Sequence, residues 1–345
     1  MKNNTLLQIS NSKKISDIEL KILKDIEKKV SWLSAWMIHN ANNIRPSLDG
    51  IKVGGHQASS ASIISIMVAL YFKILKSEDR VAVKPHAAPV FHSIQYLLGN
   101  QNQDKLENFR AFGGAQSYPS RTKDTDDVDY STGSVGLGGA ITIFGSLIQD
   151  YVTQHNFVSK DFKPGKMVAL LGDAELDEGN IYEALLEGAK QNVRNCWWVI
   201  DYNRQSLDAV VADKLHLKID ELFASMGWRV ITLKYGKKLQ NLSKLKGGNE
   251  ILNWIDNCPN DLYSALSYMG SKGWREHLNK DLKINKDSIN IIKSLSDEEL
   301  NETMSNLAGN DVEAVLEAFT EADNDDIPTC FIAYTIKGFG LPLAG

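Results

Sequence analysis

The stretch from Lys166 to Tyr235 constrains the fold of this chain more than any other. "KMVALLG" is an unbroken apolar run, "EGNIYEALLEGAKQ" has helical spacing, and "CWWVID" is a second apolar run. "DKLHLKIDELFASMG" is helical again and "WRVITLKY" reads as a third strand. Short apolar runs alternating with helices of this length predict right-handed crossovers. The expected fold class is therefore α/β, a mostly parallel central sheet with helices on both faces. "PTCFIAYTIKG" (328–338) is a late apolar strand that can join the same sheet.

The flanks extend this plan. Residues 1–14 form a polar lead-in, and Ser16 with Glu19 forms a capping box that opens an amphipathic helix. "GGHQASSASIISIMVALYFKIL" (54–75) predicts a glycine pair, then small residues, then a deeply buried helix, and "RVAVK" (80–84) a short strand. Residues 100–134 are irregular, rich in Gly, Ser, Asp and Pro, and "GLGGAITIFGSLIQDYV" (136–152) predicts another buried helix. Residues 236–310 read as a mostly helical insert, with Ser296 and Glu299 as a second capping box. The expected organisation is the lead-in and then one domain, 15–345.

Several function classes recede. The net charge of -5 leaves no basic surplus for nucleic acid. No run of about 18 apolar residues predicts a membrane span. Cys196, Cys258 and Cys330 are odd in number and widely spaced, which predicts reduced cysteines in a cytoplasmic protein.

The chemistry gathers where two strands end. Ligands of parallel α/β sheets sit beyond the carboxyl ends of the strands. Asp173 follows "KMVALLG" directly, and Asn203 follows the next strand 30 positions later. A carboxylate, an amide oxygen and a backbone carbonyl from the following turn are hard ligands that suit Mg²⁺. The helix near Gly179 would point its amides at the same place, which favours a diphosphate. A second reading is equally open: Asp173 and Glu175 cap a helix, and Asn203 stabilises a turn.

"GDAELDEGN" followed by "NRQSLD" resembles the thiamin-diphosphate signature, Gly-Asp-Gly, a spacer, then Asn. "GGHQASSAS", "KPHAAPVFHSIQYLLG", "QSYPSR", "TGSVGLGGA", "GWREHL" and "AYTIKGFG" resemble, in the same order, segments of the homodimeric-type pyruvate dehydrogenase E1 component. The likeness to transketolase is more distant. It covers the chain from about residue 35 to 345 and implies a cofactor, thiamin diphosphate with Mg²⁺. Asp173, Asn203 and the carbonyl of Gln205 would ligate the metal. Gly172 and the amides of Ala174 and Glu175 would hold the diphosphate. His56 and His86 would serve the reacting centre, with Ser59 beside His56. Ser134 and Val135 would face the aminopyrimidine, and Lys337 would neutralise phosphate charge. His39, His92, His155, His216 and His277 stand outside these segments and read as ordinary core or surface histidines.

Two positions depart from the pattern. Ala174 stands where the signature has its second Gly, and a methyl there narrows the approach of backbone to phosphate. Lys84 stands where the relatives have Gln. The resemblance further implies a second, pyrimidine-binding domain or subunit carrying an activating glutamate, which these 345 residues do not contain. It also implies a dimer and a lipoyl-bearing acyltransferase partner. The expected activity is decarboxylation of pyruvate and transfer of the acetyl group. The alternatives are a transketolase-like ketol transferase and a cofactor-binding domain without chemistry.

Overall fold

The alternation of apolar runs and helices produces five strands in one parallel sheet. The computed structural model describes residues 15–47, 50–206, 209–210 and 212–345; the lead-in 1–14 lies outside them, as do Leu207, Asp208 and Val211 of the "SLDAVV" segment. The strands are β1 (Arg80–Ala82), β2 (Met167–Gly172), β3 (Cys196–Tyr202), β6 (Arg229–Leu233) and β7 (Thr329–Tyr334), in the order β1-β2-β3-β7-β6. A small antiparallel pair, β4 (Gln205–Ser206) and β5 (Ala209–Val210), follows β3. Every pairing in the main sheet is parallel.

Alternation along each strand divides the interior into two cores. Val168, Leu170, Trp197, Val199, Phe331 and Ala333 face one side, packed against the helices Asp17–His39, Ala88–Leu97 and Val312–Ala322. Ala169, Leu171, Trp198, Ile200, Cys330 and Ile332 face the other, packed against the helices Gly179–Lys190 and Leu215–Ser225 and those between Lys237 and Met304. Trp197 and Trp198 are packing residues. The first stacks with Phe319 and Phe331, and the second with Phe223 and Trp228 while donating Nε1–H to Thr142. Both capping boxes form, at Ser16–Glu19 and at Ser296–Glu299.

The buried helix expected after the glycine pair and small residues of 54–75 is Ile64–Ala69, continued by a π-helical turn, Leu70–Ile74, and the small residues before it form a separate short helix, Gln57–Ala61. The break between the two falls at Ser62, whose hydroxyl donates to Asp201 at 2.6 Å and whose carbonyl accepts from Asn310 Nδ2 at 2.9 Å. One expected helix differs from the reading above. The helix Leu137–Gln154 is not buried all round: Phe144, Ile148 and Tyr151 are exposed on it. Only its other face, through Gly138, Gly139 and Ile143, reaches the core.

Candidate functional site

The carboxyl ends of β1, β2, β3 and β7 deliver the residues singled out above to one end of the sheet. Gly172 and Asp201 are register partners, so the chain leaves β2 and β3 side by side. Asp173 begins a 3₁₀ turn, Asp173–Asp177, which the sequence did not announce. That turn separates the strand from the helix Gly179–Lys190, so its own amides, not those of the longer helix, stand nearest the strand end.

Asp173 is buried, and its two oxygens are held by main chain. Oδ2 accepts from Arg204 N–H at 2.7 Å, and Oδ1 from Ala174 N–H at 3.0 Å. Asn203 Oδ1 accepts from Gln205 N–H at 3.1 Å. Both side-chain oxygens therefore converge on the turn Asn203–Gln205, which is made possible by Arg204 at φ 65°. Burial, and then the neighbouring Asp201, push the Asp173 carboxyl up to about 7. A divalent cation would reverse that shift by favouring the ionised form. Two buried oxygen donors on one tight turn, one of them a carboxylate raised by burial, fit a hard cation with few protein ligands.

Glu175 contributes more than an amide. Its Oε1 accepts from Gly172 N–H at 3.0 Å and its Oε2 from Gly136 N–H at 2.8 Å. That carboxylate fastens the loop carrying Ser134 and Val135 to the start of the 3₁₀ turn. Gly136 has φ 77°, and a Cβ there would lie 2.7 Å from Asn180 Oδ1. Ser134 and Val135 are exposed.

The histidines form a second group. The His56 and His86 rings lie 4.3 Å apart, centroid to centroid. Ser60, not Ser59, ties their segments together: its Oγ donates to the His86 carbonyl at 2.8 Å. Ser59 lies on the short helix that follows His56. Lys337 is half-buried, and the next residue, Gly338, donates N–H to Ala58 at 3.0 Å. Burial, then His56 and the cations Lys84, Arg110 and Lys337, push His86 down to about 4. His56 is lowered by burial, then by Arg110 and Lys337. Both imidazoles are neutral near pH 7, and His86 Nδ1 is buried without a hydrogen-bond partner among the described residues. The site thus combines fixed positive charge with two neutral proton carriers, an arrangement that can bind an anion and move a proton.

Arg110 and Asp201 escaped the sequence reading, and Lys84 was marked there only as a departure. Arg110 donates to the Val53 carbonyl at 2.7 Å and sits against Gly54, whose added Cβ would be 2.9 Å from its Nη1. It lies in the irregular stretch 100–134, and no periodicity marks it. Asp201 is fully buried in β3 and accepts from Ser62, Thr335 and Lys84. The single acid in "CWWVID" was its only signal. Lys84 is 5% exposed and pairs with Asp201 beneath the site. From there its charge acts on His86 on one side and on Asp173 and Glu175 on the other.

A parallel α/β domain that gathers buried side-chain oxygens, main-chain amides and neutral histidines beyond its strand ends has the features of a cofactor-binding domain. The chain belongs to the transketolase thiamine-diphosphate-binding domain family, which matches residues 52–246. It is similar to the pyruvate dehydrogenase E1 component of Corynebacterium glutamicum, 26% identical over 337 residues, which are 92% of this chain and 35% of that protein. The corresponding protein of Cupriavidus necator is 28% identical over 340 residues, 93% of this chain and 36% of that one. Among solved structures, a transketolase from Campylobacter jejuni superposes with a TM-score of 0.60 at 18% identity, covering 93% of this chain and 38% of that one. The transketolase of Leishmania mexicana gives 0.59 at 17% identity, covering 92% and 37%. The chain therefore spans about a third of the length of these relatives. Among the described residues, no helix is long and apolar enough to cross a membrane.

Proposed function

We propose that this chain is the diphosphate- and Mg²⁺-binding half of a thiamin-diphosphate-dependent 2-oxo acid dehydrogenase E1 that acts on pyruvate. The observation that carries this reading is the convergence of the Asp173 and Asn203 oxygens on the turn Asn203–Gln205 at the ends of β2 and β3. Mg²⁺ would be held by Asp173, Asn203 and the Gln205 carbonyl. The diphosphate would lie on Gly172 and the amides of Ala174 and Glu175, with Lys337 offsetting its charge. Ser134 and Val135 would meet the aminopyrimidine. When bound, thiamin diphosphate supplies the nucleophilic carbon and the electron sink for decarboxylation. His56 and His86, neutral at working pH, hold or move a proton beside the reacting carbonyl and donate to its developing negative charge.

Residues 15–345 would be one domain with the helical insert 236–310. A pyrimidine-binding domain or subunit bearing the activating glutamate would complete the site in a dimer, and a lipoyl-bearing acyltransferase would receive the acetyl group. Three unpaired cysteines, two of them buried, support a cytoplasmic setting. The similarity to pyruvate dehydrogenase E1 components over nearly the whole chain favours this reading over a ketol transferase. It also favours an enzyme over a domain without chemistry.

Thermal unfolding with thiamin diphosphate and Mg²⁺ tests the anchor. At about a hundred times its dissociation constant, the ligand should add roughly 2.7 kcal/mol. The gain should need Mg²⁺, vanish in Asp173→Ala and grow in Ala174→Gly. A gain that survives Asp173→Ala, or its absence from both wild type and Ala174→Gly, would overturn the assignment.

A further inference from the structure

At the Asn203–Gln205 turn, where Arg204 lines it, lies a small polar chamber of about 60 Å³ that the reading above leaves unused. Tyr334 closes β7, Lys234 directly follows β6, and Arg204 follows Asn203; all three line it. Lys214 and His216 line it from the start of the helix Leu215–Ser225.

Two of these cations hold backbone conformations that side-chain-bearing residues rarely adopt, Arg204 at φ 65° and Lys214 at φ 61°. Such conformations persist where the surroundings over-determine them, and they cluster at binding sites. Arg204 is 9% exposed. Its guanidinium lies 4.5 Å from the Tyr263 ring centre and 5.8 Å from that of Tyr334. Nη2 makes one long bond, 3.4 Å, to the Thr335 carbonyl, and Nε is buried with no hydrogen-bond partner among the described residues. A buried guanidinium N–H without an acceptor marks a place where an oxyanion gains a charge-assisted bond. Lys214 caps its helix with no side-chain hydrogen bond, so the positive end of that helix adds to the field.

The carboxylates in the wall are already engaged. Asp256 pairs with Lys234 and the Tyr235 hydroxyl, and Asp213 accepts from Asn260 N–H at 2.9 Å. Three cations therefore face two carboxylates. His216 stays neutral, pushed down to about 4 by burial and then by Lys234 and Lys214, and can offer an N–H. Asn257 and Cys258 also line a wider groove of about 510 Å³, where Trp254, Leu262 and Ile284 supply apolar wall. The chamber thus has room for a phosphoryl-sized head, and the adjoining groove has room for an organic body.

We propose that this chamber is a second anion site, distinct from the diphosphate-binding turn, that takes the phosphate of a small phosphorylated molecule whose body lies in the adjoining groove. Arg204 links it to the first site, because the same residue donates its backbone N–H to Asp173 at 2.7 Å.

Inorganic phosphate is the probe, followed by ³¹P line broadening with wild type, Lys214→Gly, Arg204→Gln and His86→Asn. Glycine suits φ 61°, so Lys214→Gly removes a cation without straining the turn. Its phosphate dissociation constant should rise about fivefold. Arg204→Gln should raise it about tenfold or more. His86→Asn should leave it unchanged, because His86 belongs to the other site. A phosphate dissociation constant unchanged in Lys214→Gly, binding lost in His86→Asn, or no binding to wild type at tens of millimolar phosphate would each overturn the proposal. Phosphate binding needs no thiamin diphosphate, so its outcome is independent of the cofactor test.

Discussion

His86 shows how a side chain acquires a property its sequence position does not reveal. Its ring is held against His56 and between three cations, and its pKa falls from the ordinary 6.5 to about 4. Folding thus favours the neutral form. The stability this contributes is present above about pH 6.5 and is lost as pH falls towards 4, because only the unfolded chain binds the proton in that window. Several carboxyls raised by burial, Asp173 and Asp129 among them, pull the other way, so the comparison must be made against a variant. The stability of His86→Asn relative to wild type should increase between pH 7 and pH 4.5, measured by urea unfolding at each pH. Gly136 is constrained in a different way. Its φ of 77° and the closeness of Glu178 and Asn180 leave no room for a methyl. Gly136→Ala should cost about 1–3 kcal/mol in urea unfolding and should weaken cofactor binding by freeing the Val135 loop.

The helix Leu137–Gln154 shows what periodicity reveals and what it hides. Its existence was legible, because apolar spacing and the glycines at its start are local signals. Its burial was misread, because apolar residues on every side look the same whether they face a core or an open surface. The packed side has a definite geometry. A Cβ on Gly139 would lie 2.6 Å from Ile181 and 3.0 Å from the Trp198 ring, so glycine sets the distance from this helix to its neighbours. Gly139→Ala should destabilise the fold by about 1–3 kcal/mol, read as a lower urea midpoint with an unchanged slope. The start of the next buried helix shows the same limit. Ser62 is the last of the small residues after His56, and only its bonds to Asp201 and Asn310 mark where the first short helix ends.

Lys84, Asp201, Ser62 and Thr335 come from four separate regions of the chain and meet beneath the site. The ammonium and carboxylate are both buried, and they join the segment leaving β1 to β3. Removing one partner strands the other charge in the interior. Lys84→Met should therefore cost about 3–5 kcal/mol, and the double variant Lys84→Met with Asp201→Asn should recover most of it. Urea unfolding of the four species in a double-mutant cycle measures the coupling. In the sequence Lys84 was marked only as a departure from the Gln of the relatives. In the folded chain it faces inward, where its charge sets the floor of the site.

The parallel α/β plan, the two capping boxes, and the placing of the Asp173 and Asn203 side chains just beyond two strand ends were determined by the sequence alone. Each depends on signals within about thirty residues: strand length, helical spacing, and a polar residue where an apolar run ends. The tertiary structure alone decided the order β1-β2-β3-β7-β6, which sends β7 between β3 and β6. It alone placed Arg110 from an irregular stretch beside His56 and His86, and gave Arg204 its aromatic bed between Tyr263 and Tyr334. These are meetings of residues far apart along the chain. Burial and charge complementarity select them only once the sheet has formed, so no local pattern can announce them.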